Sequence, residues 1–108
     1  MSHGELLRRV RERRPLVHQI TNYIVVRVRN GHELMATVTG TGCMSSAITG
    51  CFLAVAPPLE AAVAALVAFG VAGEDAARGA HGPGTFHVAL YDALYNLDPD
   101  GLDARAAL

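Results

Sequence analysis

A chain of 108 residues, 51% of them apolar, has enough for one domain with a modest core and is too apolar to be disordered. Its net charge of −1 provides no overall field to draw nucleic acid or an anionic membrane, so neither is expected as a partner. All nine basic residues are arginine, which excludes a phosphate-loop lysine; seven lie between Arg8 and Arg29 and read as a solvated face.

Gly4 to Arg14 has helical spacing, with Leu6, Leu7 and Val10 on one side, and Pro15 ends it. The segment has no apolar core of the kind a secretory leader carries. Leu16 to Ile20, "LVHQI", suits a short buried strand. Tyr23 to Arg29 is β-branched and partly alternating, a strand signal, and Asn30-Gly31 is a hairpin turn signal. Glu33 to Val38 would then be the returning strand.

Gly42 to Ala56 spaces Met44, Ile48, Cys51, Phe52 and Val55 along one helical stripe. Pro57-Pro58 stops that helix, and Pro58 with Glu60 opens the next, which reads from Leu59 to Ala80. Its alanines allow close approach of neighbours, so it should be central. The apolar run Ala61 to Gly73 is too short to span a bilayer. Thr85 is a candidate cap for a last helix, Phe86 to Leu97, and the remainder reads as a tail with a frayed turn. The expected fold is thus an α/β remnant of about four helices with a small sheet of two to three strands.

The chemistry concentrates in "VTGTGC". Gly40 and Gly42 remove two side chains at the entry to a helix, and the amides of Gly40, Thr41, Gly42 and Cys43 can point one way as an anion hole. The Thr41 hydroxyl would add a donor. Cys43 would place a thiol where it could accept a proton from an alcohol attacking a phosphoryl group. Glycines that merely form a turn, and a cysteine that is merely a small apolar residue, are the plainer alternative.

Elsewhere the signals are weak. Cys43 and Cys51 lie about 12 Å apart along one helix, beyond disulfide reach, so free thiols and a cytoplasmic setting are expected. The five histidines show no metal-ligand spacing, and a zinc site has no support. Glu74 and Asp75 are adjacent, which argues against a paired-carboxylate site.

The segments "LLRRVRERRPLVHQITNYIVV", "VTGTGCMSSAITGCFLAVAPPLEAAVAALVAFGVAGEDAA" and "GPGTFHVALYDALYNL" together resemble the hydroxyethylthiazole kinase family of thiamine salvage. The resemblance implies a ribokinase-like fold. It also implies transfer of the ATP γ-phosphate to 4-methyl-5-(2-hydroxyethyl)thiazole with Mg²⁺, and trimers with sites between subunits. It places Cys43 at the catalytic base position, Gly40 at a substrate-contacting position, and Thr41 and Gly42 in the anion hole. Residues 1–26 match the family's N-terminus and 27–108 its C-terminal third, within a single domain. The central region, which carries the metal acids and the ATP-holding residues, is absent, with the join near Val25 to Arg27. The expectations are therefore a truncated kinase-like protein that retains neither Mg²⁺ nor ATP and has lost the parent activity. The alternative is an engineered, non-enzymatic module with weak phosphate or sulfate binding at Gly40–Cys43. Bare faces left by the missing region imply a homo-oligomer, a dimer in the first instance.

Overall fold

The computed structural model describes residues 26–108. The helix expected at Gly4–Arg14 and the strand at Leu16–Ile20 lie outside them, as do the first residues of the Tyr23–Arg29 strand. Four α-helices follow one another: α1 (Thr41–Leu53), α2 (Pro58–Ala77), α3 (Pro83–Tyr95) and α4 (Pro99–Arg105). A 3₁₀ turn, Glu33–Thr37, precedes them. The number of helices is the one expected, although α4 forms where a frayed tail was read.

The sheet does not form: the described residues contain no strand. Residues 26–32 form no regular element, and their partner is the C-terminal end rather than a returning strand. The Arg29 amide donates to the Ala107 carbonyl at 2.8 Å. Asn30, expected in a hairpin turn, instead donates through Nδ2 to the Arg105 carbonyl at 2.8 Å and to Glu74 Oε2 at 3.4 Å. Its Oδ1 accepts the Ala107 amide at 2.8 Å. The segment read as a return strand coils instead. His32 Nδ1 accepts the Leu34 amide at 3.1 Å, and the Thr37 hydroxyl donates to the Leu34 carbonyl at 2.6 Å. These local side-chain bonds offer the backbone an alternative to a ladder.

α2 is the centre, as its small residues implied. Thirteen of its twenty residues are buried. Val63, Val67 and Val71 anchor one apolar cluster with Ala106, while Phe69, Ala72 and Ala76 join Phe86 and Leu90 of α3 in another. Pro57 and Pro58 start it as read. Two of its glycines make room for the chain before α1, one for Asn30 and one for Met35 of the 3₁₀ turn. A Cβ on Gly70 would lie 2.7 Å from the Asn30 carbonyl carbon, and one on Gly73 would collide with Met35 Sδ.

Two helix starts differ from the sequence reading. α3 begins at Pro83 with Gly82 as cap, so Thr85 lies inside its first turn. The pre-set φ of a proline at the first helical position moves the start forward. At α4, Asp98 Oδ1 accepts the Asp100 amide at 3.2 Å and Pro99 fills the first position, so Asp-Pro-Asp is a helix start.

Gly70→Ala should destabilise the fold by about 1–3 kcal/mol, because the new methyl meets backbone that has nowhere to go. Gly50→Ala, in an exposed part of α1 where a Cβ meets nothing within 4 Å, should stabilise it by about 0.5–1 kcal/mol. Urea unfolding monitored by circular dichroism separates the two. Asn30→Ala should cost about 1–3 kcal/mol and speed amide exchange at Ala107 before it does so within α2, read by hydrogen-exchange NMR.

Candidate phosphate-binding turn

The turn is positioned by the inner stripe of α1. Met44 and Ile48 pack against the cluster shared by α2 and α3, and Phe52 packs against the cluster on the other side of α2. With these three residues turned inward, Gly42 and Cys43 face outward and are exposed. The expected stripe is thereby corrected at its C-terminal half. Cys51 is exposed and Val55 is 62% exposed, because they fall on the outer side of α1 and beyond its last turn.

Gly40 is the N-cap, at φ +96° and ψ −4°, a left-handed conformation that side chains rarely adopt. It supplies no side-chain cap. Its carbonyl accepts the Met44 amide at 3.0 Å, the first bond of the helix. The amides of Thr41, Gly42 and Cys43 therefore precede any intrahelical acceptor and sit at the positive end of the α1 dipole. A Cβ on either Gly40 or Gly42 would meet nothing within 4 Å. The Thr41 hydroxyl, expected as a further donor to an anion, donates to the Val38 carbonyl at 3.4 Å and ties the turn to the buried Val38.

Other candidates resolve into structural roles. His32 caps the 3₁₀ turn, and His87 pairs with the Tyr91 hydroxyl at 2.8 Å on the surface of α3. His3 and His18 lie outside the described residues. Among the described residues no group of three or more His, Cys, Asp or Glu could hold a metal ion. No helix among them is long and apolar enough to cross a membrane. Glu74 and Asp75, set aside because adjacent residues diverge on a helix, nevertheless both reach Arg105: Asp75 Oδ1 at 2.7 Å and Glu74 Oε2 at 3.5 Å. The long guanidinium spans the divergence, a contact no helical spacing could signal. A cavity of about 210 Å³ beside this ion pair is lined by Asp75, Asn96, Asp98 and Arg105 among others, and includes no residue of the turn.

Residues 24–100 match the model of the hydroxyethylthiazole kinase family. The chain belongs to that family. It is 53% identical over 83 residues to hydroxyethylthiazole kinase of Cereibacter sphaeroides, covering 77% of this chain and 32% of the relative. It is 56% identical over 79 residues to that of Pyrococcus furiosus, covering 73% and 30%. The solved hydroxyethylthiazole kinase of Pyrococcus horikoshii superposes with a TM-score of 0.70 at 52% identity, over 74% of this chain and 32% of that one. The chain thus spans about a third of the length of the curated relatives it matches. The resemblance of the VTGTGC and GPGTF segments to hydroxyethylthiazole kinases is established by these matches.

Gly40→Ala should cost about 1–2 kcal/mol through backbone strain alone, since no neighbouring atom opposes the methyl. Thermal unfolding measures the cost. Amide chemical shifts should show the loss confined to the α1 entry, with α2 and α3 unchanged.

Proposed function

We propose that this chain carries the phosphoryl-transfer turn of a hydroxyethylthiazole kinase and binds phosphate there, without turning over the thiazole alcohol by itself. The reaction of the family is ATP-dependent phosphorylation of 4-methyl-5-(2-hydroxyethyl)thiazole, a transfer to an alcohol. In that reaction the substrate oxygen attacks the γ-phosphorus, and its proton leaves to the group at the position of Cys43. The amides of Thr41, Gly42 and Cys43 face the charge on the phosphoryl oxygens, and Gly40 lets substrate approach the backbone. The observation that carries the reading is the α1 entry, with three amides ahead of the first intrahelical bond and an exposed thiol, inside the segment that matches the family.

Loss of turnover follows from what phosphoryl transfer demands. It depends on positioning and on neutralising phosphate charge, chiefly by metal. Among the described residues no group of three or more His, Cys, Asp or Glu comes together. The reading retains neither Mg²⁺ nor ATP as a cofactor. The alternative form of this reading is an engineered, non-enzymatic module with weak phosphate or sulfate binding at Gly40–Cys43. The chain is further proposed to self-associate as a homodimer, on the strength of exposed Leu53, Val55, Leu66, Val88 and Tyr95.

Titration with inorganic phosphate, followed by amide NMR, should move Thr41, Gly42 and Cys43 saturably at millimolar concentration. A coupled assay with Mg-ATP and the thiazole alcohol should give the same background rate for the chain and for Cys43→Ala. Shifts scattered over the surface would remove the anion site, and a rate that falls in Cys43→Ala would replace the module with a working kinase.

A further inference from the structure

The C-terminal half of α2, the link from α3 to α4 and α4 itself line the cavity of about 210 Å³ beside the Arg105 ion pair. That volume has room for roughly seven waters, or for one small organic molecule. Val71, Leu97 and Leu102 give the cavity an apolar wall, and Val71 is buried. Asp75, Asp98 and Arg105 supply its charges.

Those charges do not balance. Asp75 Oδ1 lies 2.7 Å from Arg105 Nη1, and Glu74 Oε2 lies 3.5 Å from Nη2 of the same guanidinium. Exposed Arg78 reaches Asp75 Oδ1 at 3.5 Å. Asp98 takes part in none of these pairs. Its Oδ1 accepts the Asp100 amide at 3.2 Å and so answers the positive end of α4. Three carboxylates thus meet two guanidinium groups, which leaves one negative charge in excess. Asn96, also on the lining, is the C-cap of α3 and brings the negative end of that helix to the same place.

Gly101 is a separate observation. It lines the cavity from within α4, where glycine forms helix less well than alanine. Nothing local calls for it. Its φ is not positive, and a Cβ there would meet only the Asp98 side chain, at 3.7 Å from Oδ2 and 3.8 Å from Cβ. Those are ordinary contact distances, so neither the backbone nor the packing excludes a methyl. A methyl at Gly101 would stand beside Asp98 Oδ2 and take up part of the cavity. The missing side chain keeps that space open.

We propose that this cavity binds a small organic cation, an ammonium or amidinium group on a short apolar body. The charged group sits at Asp98, and the body lies against Val71, Leu97 and Leu102. An anion would meet the excess carboxylate. A bare metal ion would find no group of three or more His, Cys, Asp or Glu among the described residues, and three apolar side chains that cannot ligate it. The cavity includes no residue of the phosphate turn, so the two sites stand or fall separately.

The test is titration of the full chain with pentylammonium chloride, followed by amide NMR, with pentanol and pentanoate as controls of equal chain length. Pentylammonium should move Val71, Asp75, Leu97, Gly101 and Leu102 saturably and leave Thr41, Gly42 and Cys43 in place. Pentanol should bind about tenfold more weakly, and pentanoate should not bind. Asp98→Asn keeps a side chain that caps α4 while removing its charge, and should weaken pentylammonium binding about tenfold. Gly101→Ala should raise the midpoint of urea unfolding and yet weaken binding, a pair of signs that a purely structural glycine would not give. Equal binding of all three probes, an unchanged affinity in Asp98→Asn, or shifts scattered over the surface overturns the proposal. So does a Gly101→Ala variant that binds as well as wild type.

Discussion

The packing of residues 26–35 on the glycine face of α2 is the contact on which the rest of the described structure depends. Without side chains at Gly70 and Gly73, the chain before α1 lies directly on the helix, with Asn30 over one glycine and Met35 of the 3₁₀ turn over the other. Asn30 then reaches both Glu74 on α2 and the chain after α4. One amide side chain thereby joins elements separated by 44 to 77 residues in sequence. Each of its three bonds contributes modestly when made and costs more when one partner is left buried without it. The two ends of the described chain are held to the same helix by the same residue.

The second dependence runs from α2 to the turn. α1 has no charged residue to fix its rotation. Its orientation comes from Met44 and Ile48, seated against the cluster shared by α2 and α3, and from Phe52, seated against the cluster on the other side of α2. That rotation decides which residues face outward, and Cys43 and Gly42 are among them. The turn itself is local: a positive φ at Gly40, a hydroxyl bond from Thr41 back to Val38, and helix thereafter. A site with this construction needs α1 and α2 but little else.

What the sequence revealed follows the range of the forces involved. α1, α2 and α3 were legible because apolar spacing and proline punctuation act within a few residues. The VTGTGC turn was legible for the same reason. The hairpin was misread because Asn-Gly and a β-branched run are only local preferences, and the Asn30 side chain is taken by a partner 77 residues away. The Glu74 and Asp75 pairing with Arg105 was invisible on the same grounds. α4 is a different case: Asp-Pro-Asp is a local start signal, and it was available in the sequence.

The partition also bears on how a third of the family's length retains so much of its form. The superposition on the Pyrococcus horikoshii kinase reaches a TM-score of 0.70 over 74% of this chain. Within the described residues α2 contacts α1, α3, α4 and the 3₁₀ turn, and α2 is itself part of the matching stretch. The outer faces are another matter. α1 exposes a charge-free surface, and α3 leaves Val88, Tyr91 and Tyr95 outward. In a water-soluble helix, faces of this composition are normally covered. The described segment is thus closed in its interior around α2, while the outer faces of α1 and α3 stay in contact with solvent.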